Sequence, residues 1–206
     1  MTFNCIIAGV GGQGTVLASK LIAAAAMNMG YDVRTAETIG MAQRGGSVIS
    51  HVRIGKNIFS PLIPPGKADA LIAFEPAEAA RQIQYLRKEG TLIVCDSAIK
   101  PADPKAASYK AAVIIDYLKA NVQKLIALDG RRLTEQGVKT LNVALLGAAA
   151  QSGIFPFSFE TLQEAIPKLL PLRFWEMNLK SFELGKGVYR EHIISNKRHY
   201  TKSAKK

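Results

Sequence analysis

One glycine-rich segment near the N-terminus most constrains what this chain can fold into. Gly9-Val10-Gly11-Gly12-Gln13-Gly14 matches the spacing G-x-G-x-x-G. An apolar run from Phe3 to Ala8 precedes the segment, and an alanine- and leucine-rich stretch from Gly14 to Met29 follows it. This order of strand, glycine turn and helix is the context in which the spacing is structurally meaningful. The sequence therefore predicts a buried first strand and a helix that begins at the glycine turn.

Strand-like and helix-like patterns continue to alternate through the first hundred residues. The further predicted strands are Asp32–Glu37, Ser47–Ile54, Ala68–Glu75 and Thr91–Cys95, and a helix is predicted from Pro76 to about Lys88. Such alternation is typical of a parallel sheet with helices on its faces. A turn at Gly55-Lys56-Asn57 predicts that Ile58-Phe59-Ser60 pairs back on the preceding strand as a hairpin.

The second half of the chain predicts more helix than strand. Predicted strands are Ala111–Ile115 and Val122–Leu128; predicted helices are Arg131–Gln136, Leu141–Ser152, a Ser158-capped helix to Leu170, and Phe174–Leu184 ending at Gly185. The predicted class is α/β, a three-layer α/β/α fold. Its mostly parallel, Rossmann-like sheet carries an antiparallel hairpin insertion and a helical C-terminal arm. Residues 1–187 are predicted to form one domain, and residues 188–206 a basic, flexible tail.

Charge and composition narrow the function classes. The chain has 206 residues, 48% of them hydrophobic, and a formal net charge of +11. Five of the basic residues lie within the last ten, which contain no acid; such a tail can be solvated or can touch nucleic acid or an acidic partner. Because no nucleic-acid-binding motif accompanies it, the sequence does not favour nucleic acid. No apolar run is long enough for a membrane span, and a cytoplasmic protein is expected.

The sequence offers no self-contained catalyst. Cys5 and Cys95 each lie in an apolar run, and neither belongs to a CxxC pair, so this chain is not expected to hold an iron–sulfur cluster or another metal. We find no serine–histidine–acid set, paired-carboxylate motif or phosphate-binding Walker loop. No catalytic residue is predicted.

The first glycine segment is a candidate binding loop. Gly9, Gly11, Gly12, Gln13 and Gly14 would present backbone N–H groups and a helix N-terminus to a phosphate or carboxylate. Glu37, near the end of the second strand, could hold ribose hydroxyls of a dinucleotide. The alternative is a tight turn that only packs the first helix against the sheet, and the sequence leaves both open.

A second candidate segment runs from Gly40 to Ser47. Arg44 offers a planar cationic fork for a carboxylate or phosphate, and Gly45 and Gly46 permit unusual backbone angles. Because it follows the second strand, the segment is expected at the same sheet edge as the first glycine loop. A contact between Arg44 and an acid of a neighbouring subunit is equally compatible with the pattern.

Three further polar residues have two interpretations each. Asn142, at the start of an apolar helix, is either a cap or a polar contact to a ligand or partner. Glu75 either lines the cleft at the carboxyl end of its strand or serves the start of the next helix. His51 alternates with apolar residues on a strand, so it is interpreted as structural or solvent-facing.

The two glycine segments together resemble a known family. The opening strand with Gly9–Gly14 is similar to the start of gamma-type subunits or domains of 2-oxoacid:ferredoxin oxidoreductases. The form Gly40-Met41-Ala42-Gln43-Arg44-Gly45-Gly46-Ser47-Val48 most resembles the beta subunit of the indolepyruvate type, and Thr140–Ala148 resembles the family's asparagine-containing helix. The likeness covers about residues Phe3 to Gly187.

The resemblance implies a role within a complex. The family decarboxylates a 2-oxoacid oxidatively, joins the acyl group to coenzyme A and passes electrons to ferredoxin. It implies that thiamine diphosphate and the iron–sulfur clusters belong to a large partner subunit, and that this chain alone is inactive. Coenzyme A is the ligand that the eight glycine-segment residues, Arg44 included, are expected to seat. A stand-alone nucleotide-binding protein, a basic interaction module, and a homodimer of the isolated chain stay open as alternatives.

Overall fold

The computed structural model describes residues 2–39, 46–98 and 109–203, and for residues 39 and 196–203 it describes the backbone alone. The described strands form one six-stranded sheet: β1 (Phe3–Val10), β2 (Asp32–Ile39), β3 (Ser47–Gly55), β4 (Ala68–Ala73), β5 (Leu86–Cys95) and β6 (Lys124–Leu128). The described α-helices are α1 (Thr15–Asn28), α2 (Pro76–Gln82), α3 (Ala111–Asn121), α4 (Gly130–Leu133), α5 (Leu141–Gln151), α6 (Phe159–Leu169) and α7 (Trp175–Ser203).

The sheet is mostly parallel, as the alternating pattern predicts. Its order is β2-β3-β1-β4-β5-β6, and β1, β4, β5 and β6 run parallel to one another. β3 runs antiparallel to both β1 and β2 and lies between them. The antiparallel insertion is therefore made by β2 and β3, and the prediction that Ile58-Phe59-Ser60 pairs back on β3 is wrong, because β1 and β2 occupy both of its edges.

Apolar side chains on alternate strand positions divide the core into two layers. Cys5 and Ile7 face a large cluster that includes α1, α5 and α6, whereas Ile6 and Ala8 face a smaller one that includes α2 and α3. Successive strand residues point to opposite faces, so a strand with both faces covered is apolar throughout, as β1 is. This confirms the three-layer α/β/α prediction.

The end of α2 and the start of β5 both lie earlier in the chain than predicted. Helix α2 ends at Gln82, a 3₁₀ turn follows at Ile83–Tyr85, and β5 already begins at Leu86. Gly90 therefore lies inside a strand instead of ending a helix. At Gly90 an added Cβ would lie 2.9 Å from the carbonyl oxygen of Ala68, so the close approach of two strands accounts for the glycine.

Two predictions on the C-terminal half are also wrong. Ala111–Ile115 belongs to helix α3, which turns Ile115 and Leu118 inward at helical spacing and leaves Val113 exposed. The last helix does not end at Gly185: α7 runs on to Ser203. Gly185 lies where α7 crosses α5. The flexibility of residues 188–206 stays a prediction.

Candidate functional site

The first glycine segment forms the turn between β1 and α1. Gly9 is packed closely: an added Cβ would lie 3.0 Å from the Thr15 side chain and 3.1 Å from the Phe74 ring. Gly14 caps α1 in a left-handed conformation, with φ of 79°, and Gly12 has φ of 97°. Nothing lies within 4 Å of a Cβ added at Gly12, so this residue opens to the surroundings while Gly9 and Gly14 are held by packing.

The side chain of Gln13 connects the turn to the sheet through two hydrogen bonds. Its Oε1 accepts a hydrogen bond from the Val10 N–H at 2.7 Å, and its Nε2 donates to the Phe74 carbonyl at 3.2 Å. Both ends of the amide are therefore engaged within the protein. Gln13, predicted among the binding residues, shapes the loop through these contacts.

Asn142 anchors the same turn from the opposite layer. It is buried in the first turn of α5, and its Nδ2 donates to the Gly14 carbonyl at 3.2 Å. An added Cβ at Gly14 would lie only 2.3 Å from that Nδ2. Thr140, not Asn142, is the cap of α5, and the contact that the structure shows is with the glycine loop of the same chain; a contact of Asn142 with a ligand or partner stays a prediction.

The start of α1 has free hydrogen-bonding capacity in the described structure. No side chain caps the helix, and no acidic residue lies in its first turn. The first N–H groups of a helix have no partner within the helix and carry partial positive charge. This end of α1 therefore has the electrostatic character that an anion needs.

The end of the second glycine segment, Gly46 and Ser47, meets the first segment at the same sheet edge. The Gly11 N–H donates to the Gly46 carbonyl at 2.8 Å, and Val10 pairs with Ser47 across β1 and β3. The start of antiparallel β3 thus lies at the carboxyl end of β1. Arg44 and Gly45 lie outside the described residues, so the position of this segment is known only from Gly46 and Ser47.

A cavity of about 520 Å³ opens beside the first glycine segment. Gly11, Gly12 and Gln13 line one side, and Arg131 and Lys139 line the other. All of the parallel strands contribute to this rim, since the lining includes residues at or just after the ends of β1, β4, β5 and β6. Ligands of open α/β sheets bind outside the carboxyl ends of the strands, which makes this cavity the candidate site.

The wall opposite the glycine loop was not found from the sequence. Asp96 accepts a hydrogen bond from the Gly130 N–H at 2.9 Å, which joins the ends of β5 and β6. Arg131 follows directly, with its side chain 90% exposed and 3.4 Å from Asp129. The position of Arg131 just after β6 is the signal that could have revealed it, because the carboxyl ends of parallel strands share one rim.

Buried polar residues beside this rim have structural roles. Glu75 accepts a hydrogen bond from the Glu78 N–H at 2.9 Å and so caps α2, and its burial raises the pKa of its carboxyl group. Ser47 donates to Glu78 at 2.6 Å, and Glu78 also pairs with Arg81. The helix-start interpretation of Glu75 is the one that the structure shows.

Glu37 is not placed as a dinucleotide site requires. β3 separates β2 from β1, and the Glu37 carboxylate accepts a hydrogen bond from Ser19 on α1 at 3.1 Å. His51 is structural: its Nδ1 accepts from the Ile63 N–H at 3.2 Å, its ring edge meets Tyr85, and burial lowers its pKa.

The described residues provide no donor set for a metal. No group of three His, Cys, Asp or Glu among them could hold a metal ion. Cys5 and Cys95 lie buried on β1 and β5, and burial raises the pKa of the Cys95 thiol to about 11. Among the same residues, no helix is long and apolar enough to cross a membrane.

Comparisons with known proteins agree on one family. A sequence model of the family described as pyruvate ferredoxin/flavodoxin oxidoreductase matches residues 4–188. The indolepyruvate oxidoreductase subunit IorB of Thermococcus kodakarensis is 38% identical over 200 residues, which cover 93% of this chain and 98% of the relative.

Solved structures show the same fold. The gamma subunit of a keto/oxoacid ferredoxin oxidoreductase from Geobacter sulfurreducens superposes with a TM-score of 0.68 at 24% identity, covering 92% of this chain and 99% of that one. A 2-oxoglutarate:ferredoxin oxidoreductase from Magnetococcus marinus, solved with 2-oxoglutarate, coenzyme A and succinyl-CoA bound, gives 0.67 at 20% identity. The match covers 92% of this chain but 31% of that protein, where the fold is one part of a longer polypeptide.

Proposed function

The chain belongs to the pyruvate ferredoxin/flavodoxin oxidoreductase family, and from this premise we propose that it is the small subunit of an indolepyruvate-type 2-oxoacid:ferredoxin oxidoreductase. The observation that carries the proposal is its 38% identity, over nearly the full length of both chains, to a subunit of that name. In the overall reaction the bond between C1 and C2 of an aryl 2-oxoacid breaks and carbon dioxide leaves. The acyl carbon joins the sulfur of coenzyme A, two electrons reduce ferredoxin, and the thiol proton is released.

The described residues support a division of labour between subunits. The two cysteines are buried on separate strands, and no group of three His, Cys, Asp or Glu lies together among the described residues, whereas an iron–sulfur cluster is held by four cysteine ligands. The residues described here therefore do not fit a cluster, and we expect no catalytic group among them. We place thiamine diphosphate and the clusters on a large partner subunit, which also passes electrons to ferredoxin, and we place the complex in the cytoplasm.

Within the complex, we assign the carboxyl-edge cavity to coenzyme A. The start of α1, Arg131 and Lys139 supply positive charge around the glycine loop, and the phosphates of coenzyme A supply the matching negative charge. Arg44 and Gly45 are included among the residues proposed to bind coenzyme A on the basis of the sequence alone. A loop that only packs, with Arg44 paired to a neighbouring subunit, is the competing interpretation.

Reconstitution tests the subunit assignment. The chain is co-expressed with a thiamine- and cluster-binding large subunit, and ferredoxin reduction is measured with indolepyruvate, pyruvate and 2-oxoglutarate. We expect a stable complex that prefers indolepyruvate and an isolated chain without activity. Turnover by the isolated chain would contradict the proposal, and a preference for pyruvate or 2-oxoglutarate would contradict the indolepyruvate assignment.

Substitutions test the coenzyme A assignment in that complex. Arg44→Ala and Lys139→Ala are each expected to raise the KM for coenzyme A about tenfold, since each removes a charge-assisted contact, while the KM for the 2-oxoacid stays unchanged. Arg34→Ala is the matched control, because Arg34 is exposed on β2 and donates to its neighbour's carbonyl. An unchanged KM for coenzyme A in both variants would indicate that the glycine loop only packs α1 against the sheet and does not bind coenzyme A.

The alternative of a stand-alone nucleotide-binding protein is tested with the isolated chain. A ligand that binds only the folded state raises its melting temperature. We expect no shift with nicotinamide or flavin nucleotides, because Glu37 is engaged by Ser19 and lies two strands from β1. A clear shift with either cofactor would favour the alternative.

A further inference from the structure

A second cavity lies at the opposite edge of the sheet. It measures about 630 Å³ and is lined by the first residues of β1, β4, β5 and β6, by the end of β3, and by the loop between α5 and α6. We call it the amino-edge groove, since the parallel strands begin there. Its volume falls within the range of roughly 300–1,000 Å³ that is typical of small-molecule sites. The glycine segments take no part in it.

Aromatic side chains form one side of the amino-edge groove. The ring centroids of Phe3 and Phe155 are 6.0 Å apart with their planes at 69°, and Phe155 stacks on Phe157 at 5.1 Å. Ile154 and Tyr31 extend this apolar side. An aromatic ring bound here would meet a further ring in the edge-to-face or offset geometry that such pairs prefer.

The guanidinium group of Arg87 lies on the neighbouring wall of the groove. The Arg87 Nε is 2.8 Å from Asp69 Oδ1, and Asp69 Oδ2 accepts a hydrogen bond from the Asn4 N–H at 2.8 Å. The contact from Arg87 Nη1 to Glu89, at 3.7 Å, is too long for a hydrogen bond. Asp69 therefore orients the guanidinium, and among the described residues no hydrogen bond engages its outer N–H groups, which can bind a carboxylate.

An irregularity in the sheet brings this arginine to the groove. Ala68 pairs with Leu86, but Ala70 pairs with Thr91, so β5 has three extra residues between these pairs. The extra length carries Arg87 and Glu89 out of the regular ladder. Since Asp69 lies between Ala68 and Ala70 on β4, and β4 is next to β1, the guanidinium is held close to Phe3.

The charges around the groove favour an anion. Its lining contains three cations, Lys56, Arg87 and Lys124, and two acids, Asp69 and Glu89. Both acids face Arg87, whereas Lys56 and Lys124 have no acidic partner within the described part of the chain. A neutral aromatic molecule would use the apolar side but would leave these cations without a counter-charge.

We propose that the amino-edge groove binds an aromatic monocarboxylate, with the ring against Phe3 and Phe155 and the carboxylate on the free edge of Arg87. This site is separate from the carboxyl-edge cavity and does not depend on the function proposed above. Lys56 and Lys124 add a positive field from the two ends of the groove.

Calorimetric titration of the full chain tests ligand class. The probes are phenylacetate, indole-3-acetate, neutral phenylacetamide and acetate. We expect both aromatic acids to bind, and phenylacetamide and acetate to bind about tenfold more weakly or not at all, since each lacks one half of the recognition. Absence of binding by both aromatic acids, or equal binding of phenylacetamide, would overturn the proposal.

Variants locate the binding. Arg87→Gln is expected to weaken phenylacetate binding at least about tenfold, and Arg87→Lys to give an intermediate loss because the charge stays but the fork is removed. Lys88→Gln is the matched control, since Lys88 is the next residue but does not line the groove. Melting curves identify any variant that fails to fold. If the Arg87 variants do not fold, Lys124→Glu, at an exposed position, is used instead and is expected to weaken phenylacetate binding several-fold.

Two outcomes of these titrations count against the site. Equal affinity in wild-type, Arg87→Lys and Lys124→Glu proteins would place the ligand elsewhere. A loss of affinity in the Lys139→Ala protein, which changes the carboxyl-edge cavity, would place the ligand there, whereas unchanged affinity in that protein supports the amino-edge groove.

Discussion

At the scale of single residues, Gly14 carries two constraints at once. Its φ of 79° is in the left-handed region, and an added Cβ would lie 2.3 Å from Asn142 Nδ2. We expect Gly14→Ala to lower the free energy of unfolding by about 2–4 kcal/mol, from backbone strain and overpacking together. Urea denaturation measures the change.

Gly12→Ala provides the comparison for Gly14. Gly12 also has positive φ, but nothing lies within 4 Å of an added Cβ, so strain alone should lower stability by about 1 kcal/mol. Adding Asn142→Ala to Gly14→Ala should recover part of the larger loss by removing the clash. Equal losses at the two glycines would show that the packing against Asn142 is unimportant.

Glu75 predicts a pH dependence of stability. Burial raises the pKa of its carboxyl above the ordinary 4.5, so the folded state holds the proton more tightly than the unfolded state. The stability from this group is present below pH 4.5 and is lost as the pH rises through the higher, folded-state pKa. Glu75→Gln keeps a capping oxygen without the charge, so its stability relative to wild type should increase between pH 4 and pH 7.

Glu160 should behave in the opposite way and serves as the control. Hydrogen bonds from its own backbone and from Ser158 lower the pKa of its exposed carboxyl. Stability from Glu160 is therefore present above pH 4.5 and lost on acidification, and Glu160→Gln should lose stability relative to wild type as the pH rises. Denaturation curves at several pH values measure both trends, and identical slopes for the two variants would refute the assignment for Glu75.

At the scale of elements, α5 and α7 cross with their backbones in close contact. A Cβ added at Gly185 would lie 1.7 Å from the Ala144 carbonyl oxygen, and one added at Gly147 would lie 2.0 Å from that of Phe182. We expect Gly185→Ala to destabilise the protein by about 3 kcal/mol or more, because the two helices must separate. Thermal or urea unfolding detects this loss.

Gly187, two residues further along the same helix, is the matched control. Nothing lies within 4 Å of a Cβ added there. Gly187→Ala should leave stability unchanged or raise it by about 0.5–1 kcal/mol, since alanine is the better helix former. A similar loss in both variants would indicate that helix crossing does not explain Gly185.

The same glycine shows why some elements could not be predicted from sequence. β1, its glycine turn and α1 were predicted within about two residues, because strand, turn and helix each have a local signal there. A glycine after a helical pattern predicts a helix end, but Gly185 and Gly90 are glycines for a different reason. Each lies where another backbone approaches closely, that of α5 at Gly185 and that of β4 at Gly90. Ala111–Ile115 favours strand by composition, but burial of Ile115 and Leu118 on one side decides for a helix.

At the scale of the whole molecule, the sheet edge was predictable but its full set of residues was not. The sequence placed two glycine segments on one rim, and the hydrogen bond between Gly11 and Gly46 supports this where both are described. Arg131 lies in α4, just after β6, and Lys139 lies in the 3₁₀ turn Val138–Thr140 that precedes α5, and both line the cavity at this rim. The position of Arg131 just after β6 was a usable sequence signal, whereas the sequence surroundings of Lys139 are ordinary, so three-dimensional proximity was needed to find it.

The C-terminal basic residues allow a prediction about the molecule's surface. Truncation after Asn196 removes five of the Lys and Arg residues and no acid. The melting temperature should change by less than about 2 °C, because the described contacts of α7 with the body, such as the Arg132–Glu191 ion pair, lie before the cut. Retention on a heparin column should fall to a lower salt concentration.

A full-length variant with the same five residues changed to Gln separates charge from length. It should match the truncated chain on heparin and wild type in stability. Wild-type retention of either variant would show that the rest of the surface carries the interaction.

Helix α7 is linked through α5 to the glycine turn at the start of α1. It locks against α5 at Gly185, and α5 in turn holds the Gly14 carbonyl through Asn142. Displacing α7 along its axis would therefore shift α5 and strain the hydrogen bond that fixes the start of α1. A partner that binds the C-terminal end of α7 is therefore connected to the rim where phosphates are expected to bind through two contacts: Gly185 with α5, and Asn142 with Gly14.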